Sequence, residues 1–101
     1  MKAIKITKDK YHALLASGKP LLLDFYADWC GPCRMVAPVI EEIAEEREDL
    51  IVGKVNVDEE HELASAFGVM SIPTIVMLKG GREHKRATGA RPKAAILSLL
   101  Q

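Results

Sequence analysis

Both cysteines of the chain lie where a predicted buried strand passes into a predicted helix, and this junction constrains the fold more than any other feature. Residues Leu21–Tyr26, LLLDFY, form an almost continuous apolar run, which is typical of a strand buried on both faces of a sheet. Cys30 and Cys33 follow, and after them apolar residues recur with helical spacing as far as Arg47. The sequence therefore predicts a cysteine motif that joins a central strand to a helix.

The rest of the pattern predicts the layers that cover such a strand. Further strands are predicted over Ala3–Ile6, Ile51–Val57, Thr74–Leu78 and His84–Thr88, and the last is polar enough to be an edge. Further helices are predicted with Thr7 and Asp58 as N-caps and with Pro92 in a first turn, the last burying Ile96, Leu97 and Leu100. A βαβαβ half followed by a ββα half predicts an α/β fold in one domain over residues 1–101. Its mixed sheet would carry helices on both faces.

The composition is that of an ordinary globular protein. Hydrophobic residues make up 49% of the 101 residues and charged residues 28%, so disorder is not indicated. The 14 basic residues balance the 14 acidic ones, and without a basic excess we expect no nucleic-acid partner. The acidic segment EEIAEERED is predicted to be a solvated helix face. We find neither a signal peptide nor an apolar run of about 20 residues, so we expect a cytoplasmic protein with no membrane partner. We also expect a monomer.

Three interpretations of the Cys30–Cys33 pair are open from the spacing alone. A zinc site would need further ligands, and His12, His61 and His84 are scattered, so we expect no metal and place these histidines at the surface. A structural disulfide would close a very small loop and stabilise little. Dithiol–disulfide exchange needs an exposed thiolate and a second sulfur within reach. Two cysteines in a reducing compartment favour redox chemistry or a metal site over a disulfide scaffold.

The place of the pair at a helix start predicts a different role for each sulfur. If the helix begins near Cys30, unpaired N–H groups and the positive end of the helix dipole favour a thiolate there. Cys30 is then the nucleophile, and Cys33, one turn further from solvent, resolves the mixed disulfide. Gly31 permits the close turn and Pro32 restricts the freedom of the dithiol. These two residues favour a reducing protein over an oxidant or an isomerase.

The residues around the cysteines resemble the thioredoxin family, and the resemblance covers nearly the whole chain. The segment LLLDFYADWCGPCRMVAP is followed in order by SIPT, KGG and TGA. A bare C-x-x-C is a weak signal, whereas WCGPC after an apolar strand with these segments downstream is a specific one. The resemblance implies a thioredoxin fold and a protein-disulfide reductase without a bound cofactor. Its partners would be disulfide-containing substrate proteins and a thioredoxin reductase that recycles it.

The resemblance also implies the residues that support the cysteines. Asp24 becomes a buried acid below them, and its place inside an apolar run favours burial; a buried carboxyl has a raised pKa and passes protons near neutrality. Lys54 becomes a possible partner of Asp24, although a lysine extending from a half-exposed strand is the alternative. Pro73 corresponds to the family's cis-proline. The implied substrate-docking surface is nearly uncharged and consists of Trp29, Gly31, Pro32, Ile72, Pro73, Gly89 and Ala90.

Three positions depart from residues that are frequent in the family: Tyr26, Ser71 and Arg34. None of them carries the chemistry, but they leave the preference for partners open. An alternative from another class also stays open, namely a thioredoxin-fold subunit that binds partners through the docking surface without turnover.

Overall fold

A computed structural model describes residues 2–101 of the chain. Its five strands form one sheet in the order β1-β3-β2-β4-β5. They are β1 (Ile4–Lys5), β2 (Leu21–Tyr26), β3 (Ile51–Asn56), β4 (Thr74–Lys79) and β5 (Arg82–Thr88). β3 pairs in parallel with β1 and with β2, while β4 runs antiparallel to both β2 and β5. The mixed sheet and the edge position of β5 are as predicted.

Helices α1 (Lys8–Ala16), α2 (Gly31–Glu46), α3 (His61–Ala66) and α4 (Lys93–Leu97) complete the described part of the chain, and a 3₁₀ turn over Ser98–Leu100 follows α4. Within residues 2–101, no helix is both long and apolar enough to cross a membrane. The α2 helix matters most for the site, because it begins directly after the first of the two cysteines.

The central strand β2 is buried from Leu21 to Phe25, which agrees with its apolar run. Successive side chains of a strand point to opposite faces, and here each face has its own core. Leu22 packs in the core that contains Val36 and Ile40 of α2, whereas Leu23 packs in the core on the opposite face. By the same alternation, Asp24 projects from the face that α2 covers.

The predicted helix start at Thr7 is confirmed, because the Thr7 hydroxyl oxygen accepts a hydrogen bond from the Lys10 N–H at 3.2 Å. The predicted cap at Asp58 is wrong. A turn separates it from α3, which begins at His61 with Glu60 in the N-cap position and no side-chain cap. The Asp58 carboxylate instead accepts a hydrogen bond from the Trp29 indole.

The C-terminal helix is shorter than the sequence pattern indicates. Pro92 lies at its N-cap position rather than in its first turn. Ile96 and Leu99 are the buried residues, at 0% and 7% exposure, while Leu97 and Leu100 are only partly buried. A 3₁₀ turn has three residues per turn, so the inward position after Ile96 is Leu99 and not Leu100.

Candidate functional site

The cysteine pair lies at the N-terminus of α2. Cys30 is the N-cap residue, and its sulfur accepts a hydrogen bond from the Cys33 backbone N–H at 3.2 Å. The two sulfurs form a disulfide, with the Cα atoms 5.3 Å apart, within the usual range for such a bond. A helix N-terminus presents unpaired N–H groups and a positive dipole end. The Cys30 sulfur therefore occupies a position that favours negative charge.

The prediction that Cys30 is more exposed than Cys33 is not supported by the residue accessibilities. Cys30 is 4% exposed and Cys33 is 3% exposed; both pack with Ala27 and against Ile72. Gly31 and Pro32 between them are exposed. The two cysteines therefore differ in their place on the helix rather than in exposure, because the N-cap sulfur is the one that receives a backbone N–H.

A cis peptide bond joins Ile72 to Pro73 next to the disulfide. The Cys30 sulfur lies 3.9 Å from the Ile72 carbonyl oxygen. The Pro73 carbonyl oxygen accepts a hydrogen bond from the Gly89 N–H at 2.8 Å, and Ala90 follows Gly89 as an exposed residue. These contacts link the segment Ile72–Pro73 to both the cysteines and the residues after β5. The cis bond itself was predicted.

Trp29 is one of the most exposed large hydrophobic residues near the disulfide, at 69%. Its indole N–H donates a hydrogen bond to Asp58 Oδ2 at 2.8 Å. It also lines a groove of about 220 Å³ with Met70 and Ile72. Asp58 was not predicted as a site residue, although the sequence contains a signal for it. Trp29 follows β2 and Asp58 follows β3, and neighbouring parallel strands end at the same edge of a sheet.

Asp24 is a buried acid, as the family resemblance implies. It is 1% exposed, and among residues 2–101 its Oδ1 atom has no hydrogen-bond partner. Burial raises the pKa of Asp24 to about 7, and the positive charge of Lys54 opposes that rise. Asp24, Lys54 and Cys33 line one cleft of about 200 Å³, so the carboxyl and the inner cysteine share an opening.

Lys54 lies opposite Asp24 in the register of β2 and β3. Its ion pair, however, is with Glu41 Oε2 at 3.9 Å, and its ammonium nitrogen lies 5.2 Å from the centroid of the Tyr26 ring. Lys54 is therefore near enough to Asp24 to oppose the rise of its pKa, while its ammonium makes its direct contacts with Glu41 and the Tyr26 ring. Glu41 was not predicted, because its surroundings indicate a solvated helix face.

The histidines lie apart from this site. His12, His61 and His84 are exposed, as predicted. The residues that the structure describes, 2–101, contain no group of three or more His, Cys, Asp or Glu side chains placed to hold a metal ion.

The thioredoxin family model matches residues 2–101. The chain belongs to the thioredoxin family. It is 53% identical over 96 residues to a thioredoxin of Mycobacterium tuberculosis (strain ATCC 25618 / H37Rv), covering 93% of this chain and 83% of that protein. It is 51% identical over 89 residues to a thioredoxin of Alicyclobacillus acidocaldarius subsp. acidocaldarius, covering 87% and 85%. It also matches a bifunctional thioredoxin reductase/thioredoxin of Mycobacterium leprae (strain TN), at 52% identity over 93% of this chain but only 21% of that protein.

A solved structure shows the same fold. A mutant thioredoxin from Halobacterium salinarum NRC-1 superposes with a TM-score of 0.89 and 36% identity, covering 97% of this chain and 87% of that chain. The thioredoxin fold is thus confirmed. Family membership and the disulfide at the start of α2 together identify Cys30 and Cys33 as a thiol–disulfide oxidoreductase centre.

Proposed function

We propose that the protein reduces disulfides in other proteins and that Cys30 is its nucleophile. The observation that carries this proposal is the hydrogen bond from the Cys33 N–H to the Cys30 sulfur at the start of α2, since N–H groups there stabilise a thiolate. The Cys30 thiolate attacks one sulfur of the substrate disulfide. An S–S bond to Cys30 forms, the substrate S–S bond breaks, and the first substrate thiolate takes up a proton.

The second step regenerates the disulfide between the two cysteines. Cys33 loses its proton and attacks the Cys30 sulfur, which releases the second substrate thiolate. The two cysteine sulfurs lose two electrons and the substrate gains them. Of the two protons that the substrate thiolates take up, one comes from water and the other replaces the proton that Cys33 gave up. We assign the acceptance of the Cys33 proton to Asp24, because its carboxyl shares a cleft with Cys33 and its pKa of about 7 lets it exchange protons near neutrality.

Substrate docking is assigned to the nearly uncharged surface around the disulfide. Trp29, Gly31, Pro32 and Ala90 are exposed there, Ile72 and Gly89 are partly buried, and Pro73 is buried. Few charges on this surface mean little discrimination by electrostatics, which suits a protein with many substrates. Backbone groups beside Pro73 would pair with an extended substrate segment, as in strand addition.

The remaining partners are also part of the proposal. The relative from M. leprae is named a bifunctional thioredoxin reductase/thioredoxin, which supports recycling of this chain by a thioredoxin reductase. We further propose that the active unit is a single cytoplasmic domain, residues 1–101, that works as a monomer without nucleic acid, membrane or bound cofactor.

The test compares the two single cysteine variants on a protein substrate that contains a disulfide. With Cys33→Ser, Cys30 still attacks but nothing resolves the adduct, so a covalent complex should accumulate on a non-reducing gel and disappear with added dithiol. Cys30→Ser should form little adduct and serves as the matched control. A complex formed through Cys33 instead would overturn the assignment of roles. If neither variant forms an adduct and wild type shows no turnover, the reductase function itself is wrong, and a binding role gains support.

A further inference from the structure

Glu41 contacts both the residue that precedes β1 and a residue of β3. It lies on α2, and its Oε1 accepts a hydrogen bond from the Ala3 backbone N–H at 3.2 Å. Its Oε2 lies 3.9 Å from the ammonium nitrogen of Lys54 on β3. The Glu41 side chain is 41% exposed and that of Lys54 is 28% exposed. The carboxylate is therefore held by backbone on one side and faces a half-buried ammonium on the other.

Lys54 has a choice of negative partners. Its backbone is opposite Asp24 in the sheet register, and both side chains line the same cleft. Its ammonium nevertheless pairs with Glu41 and lies 5.2 Å from the centre of the Tyr26 ring, a distance at which a cation and an aromatic face attract each other. Asp24 Oδ1 is left without a hydrogen-bond partner among residues 2–101.

We propose that Glu41 is a positioning residue for the proton step: it holds the Lys54 ammonium away from the Asp24 carboxyl. Positioning by Glu41 serves catalysis only if the proposed reductase function is right. The contacts from which it is inferred do not depend on that function. Three charged side chains line the cleft with Asp24: Lys54 on β3, Arg34 on α2 and Asp28 before α2. Glu41 on α2 pairs with Lys54, and β4 presents the uncharged Ile75 in the register of Asp24. The rest of the cleft is lined by Tyr26, Ala27, Cys33 and Ala37. Arg34 in turn donates a hydrogen bond to the Asp28 carbonyl oxygen at 3.3 Å.

The consequence for Asp24 has a definite sign. An ammonium that moved next to Asp24 would favour the carboxylate and lower its pKa, because an opposite charge within about 4–6 Å lowers the pKa of a carboxyl by roughly 1–3. Such a carboxylate would accept a proton poorly near neutrality. With Lys54 held by Glu41, burial dominates and the pKa of Asp24 stays at about 7. Removing the negative charge of Glu41 also lowers the pKa of Asp24, so both effects act in the same direction.

The test is the titration of Asp24 in the oxidised protein, followed by carbon NMR of its carboxyl group. Glu41→Gln keeps an oxygen that can accept from the Ala3 N–H and removes the charge that pairs with Lys54. We expect the Asp24 midpoint to fall by about one pH unit or more, and the pH profile of disulfide reduction to move by the same amount. Glu45→Gln, which makes the same charge change at an exposed position one turn further along α2, should leave both midpoints in place. An unchanged Asp24 midpoint in Glu41→Gln would overturn the proposal.

A second background separates positioning from the direct field of Glu41. Lys54→Met removes the ammonium and should raise the Asp24 midpoint. If Glu41 acts through Lys54, adding Glu41→Gln to Lys54→Met should change that midpoint by less than about a third of its effect in wild type. An equal fall in both backgrounds would refute the positioning role, since Glu41 would then act by its own charge. Because these titrations need no turnover, they stand even if the cysteine variants disprove the reductase function.

Discussion

The buried carboxyl of Asp24 makes the stability of the protein depend on pH in a direction opposite to that of most acids. Burial raises the pKa of Asp24 from its ordinary 3.8 to about 7 in the folded protein. One pKa unit corresponds to about 1.4 kcal/mol. Ionising Asp24 in the fold therefore costs about 4 kcal/mol once the pH is above 7, which is a large part of the roughly 5–15 kcal/mol that stabilises a typical domain.

The sign follows from which state holds the proton. Below pH 3.8, Asp24 is protonated in both the folded and the unfolded chain, and it has no effect on the free energy of unfolding. Between pH 3.8 and about 7 the unfolded chain loses the proton while the folded chain keeps it. The free energy of unfolding therefore falls as the pH rises through this window, and above about pH 7 the full penalty applies.

Asp24→Asn removes this dependence. We therefore expect its free energy of unfolding, relative to that of wild type, to rise by about 3 kcal/mol between pH 5 and pH 8. The buried amide adds its own cost, but that cost does not vary with pH, so the test is the change with pH. Urea unfolding of the oxidised proteins at several pH values measures it. Asp49→Asn is the matched control: Arg47 lowers the pKa of Asp49, so its carboxylate stays ionised throughout this range. A stability difference between Asp24→Asn and wild type that is the same at pH 5 and pH 8 would refute the reasoning.

Three further predictions concern packing, docking and the redox couple. A Cβ at Gly53 would lie 2.9 Å from Ile6 Cδ1 and 3.2 Å from Leu23 Cδ2, so Gly53→Ala should lower the free energy of unfolding by about 1–3 kcal/mol; an unchanged denaturant midpoint would contradict this packing. Asp58→Ala removes the acceptor of the Trp29 indole N–H and should raise KM for a disulfide substrate several-fold with kcat little changed, whereas Asp58→Asn, which keeps an acceptor, should not. Since Gly31 permits the close turn and Pro32 restricts the dithiol, the oxidised protein should resist denaturant better than the reduced protein, and a reversed order of midpoints would argue against a reducing couple.

The predictable part of the fold is the part with strong local signals. The run Leu21–Tyr26 predicted a buried central strand. The paired glycines in Lys79–Arg82 are typical of a tight hairpin turn, and Gly80 and Gly81 there have φ values of 58° and 77°. Errors arose where two local solutions compete. Asp58 is a good N-cap by residue type, yet a turn separates it from α3 and its carboxylate binds Trp29. Similarly, the 3₁₀ turn after α4 changes which leucine is buried, and periodicity alone does not reveal that change.

The site divides in the same way between local and tertiary signals. The cysteine pair at a helix start and a carboxyl inside an apolar strand are visible in the sequence. The role of Glu41 is not visible there, because Glu41 begins the segment EEIAEERED, whose charge pattern is typical of a solvated helix face. Its exposed neighbours such as Glu42 and Glu45 confirm that interpretation. Only the packing of α2 over β3 brings Glu41 to Lys54, and no spacing within α2 indicates which of its acids lies at that point.

The cost of Asp24 bears on why such a residue is kept in the central strand. An apolar residue at this position would continue the core formed by Leu22 and Ile75 and would avoid the penalty of about 4 kcal/mol above pH 7. Two conditions must then hold for a carboxyl to be useful there: its pKa must lie near the working pH, and the opening shared with Cys33 must let a proton pass. The structure meets the first by burial and by pairing Lys54 with Glu41, and the second by the cleft below the disulfide. Asp24 thus lowers the stability of the fold and is also the residue proposed to move the proton. This combination is expected where activity, rather than stability, determines which side chain a position holds.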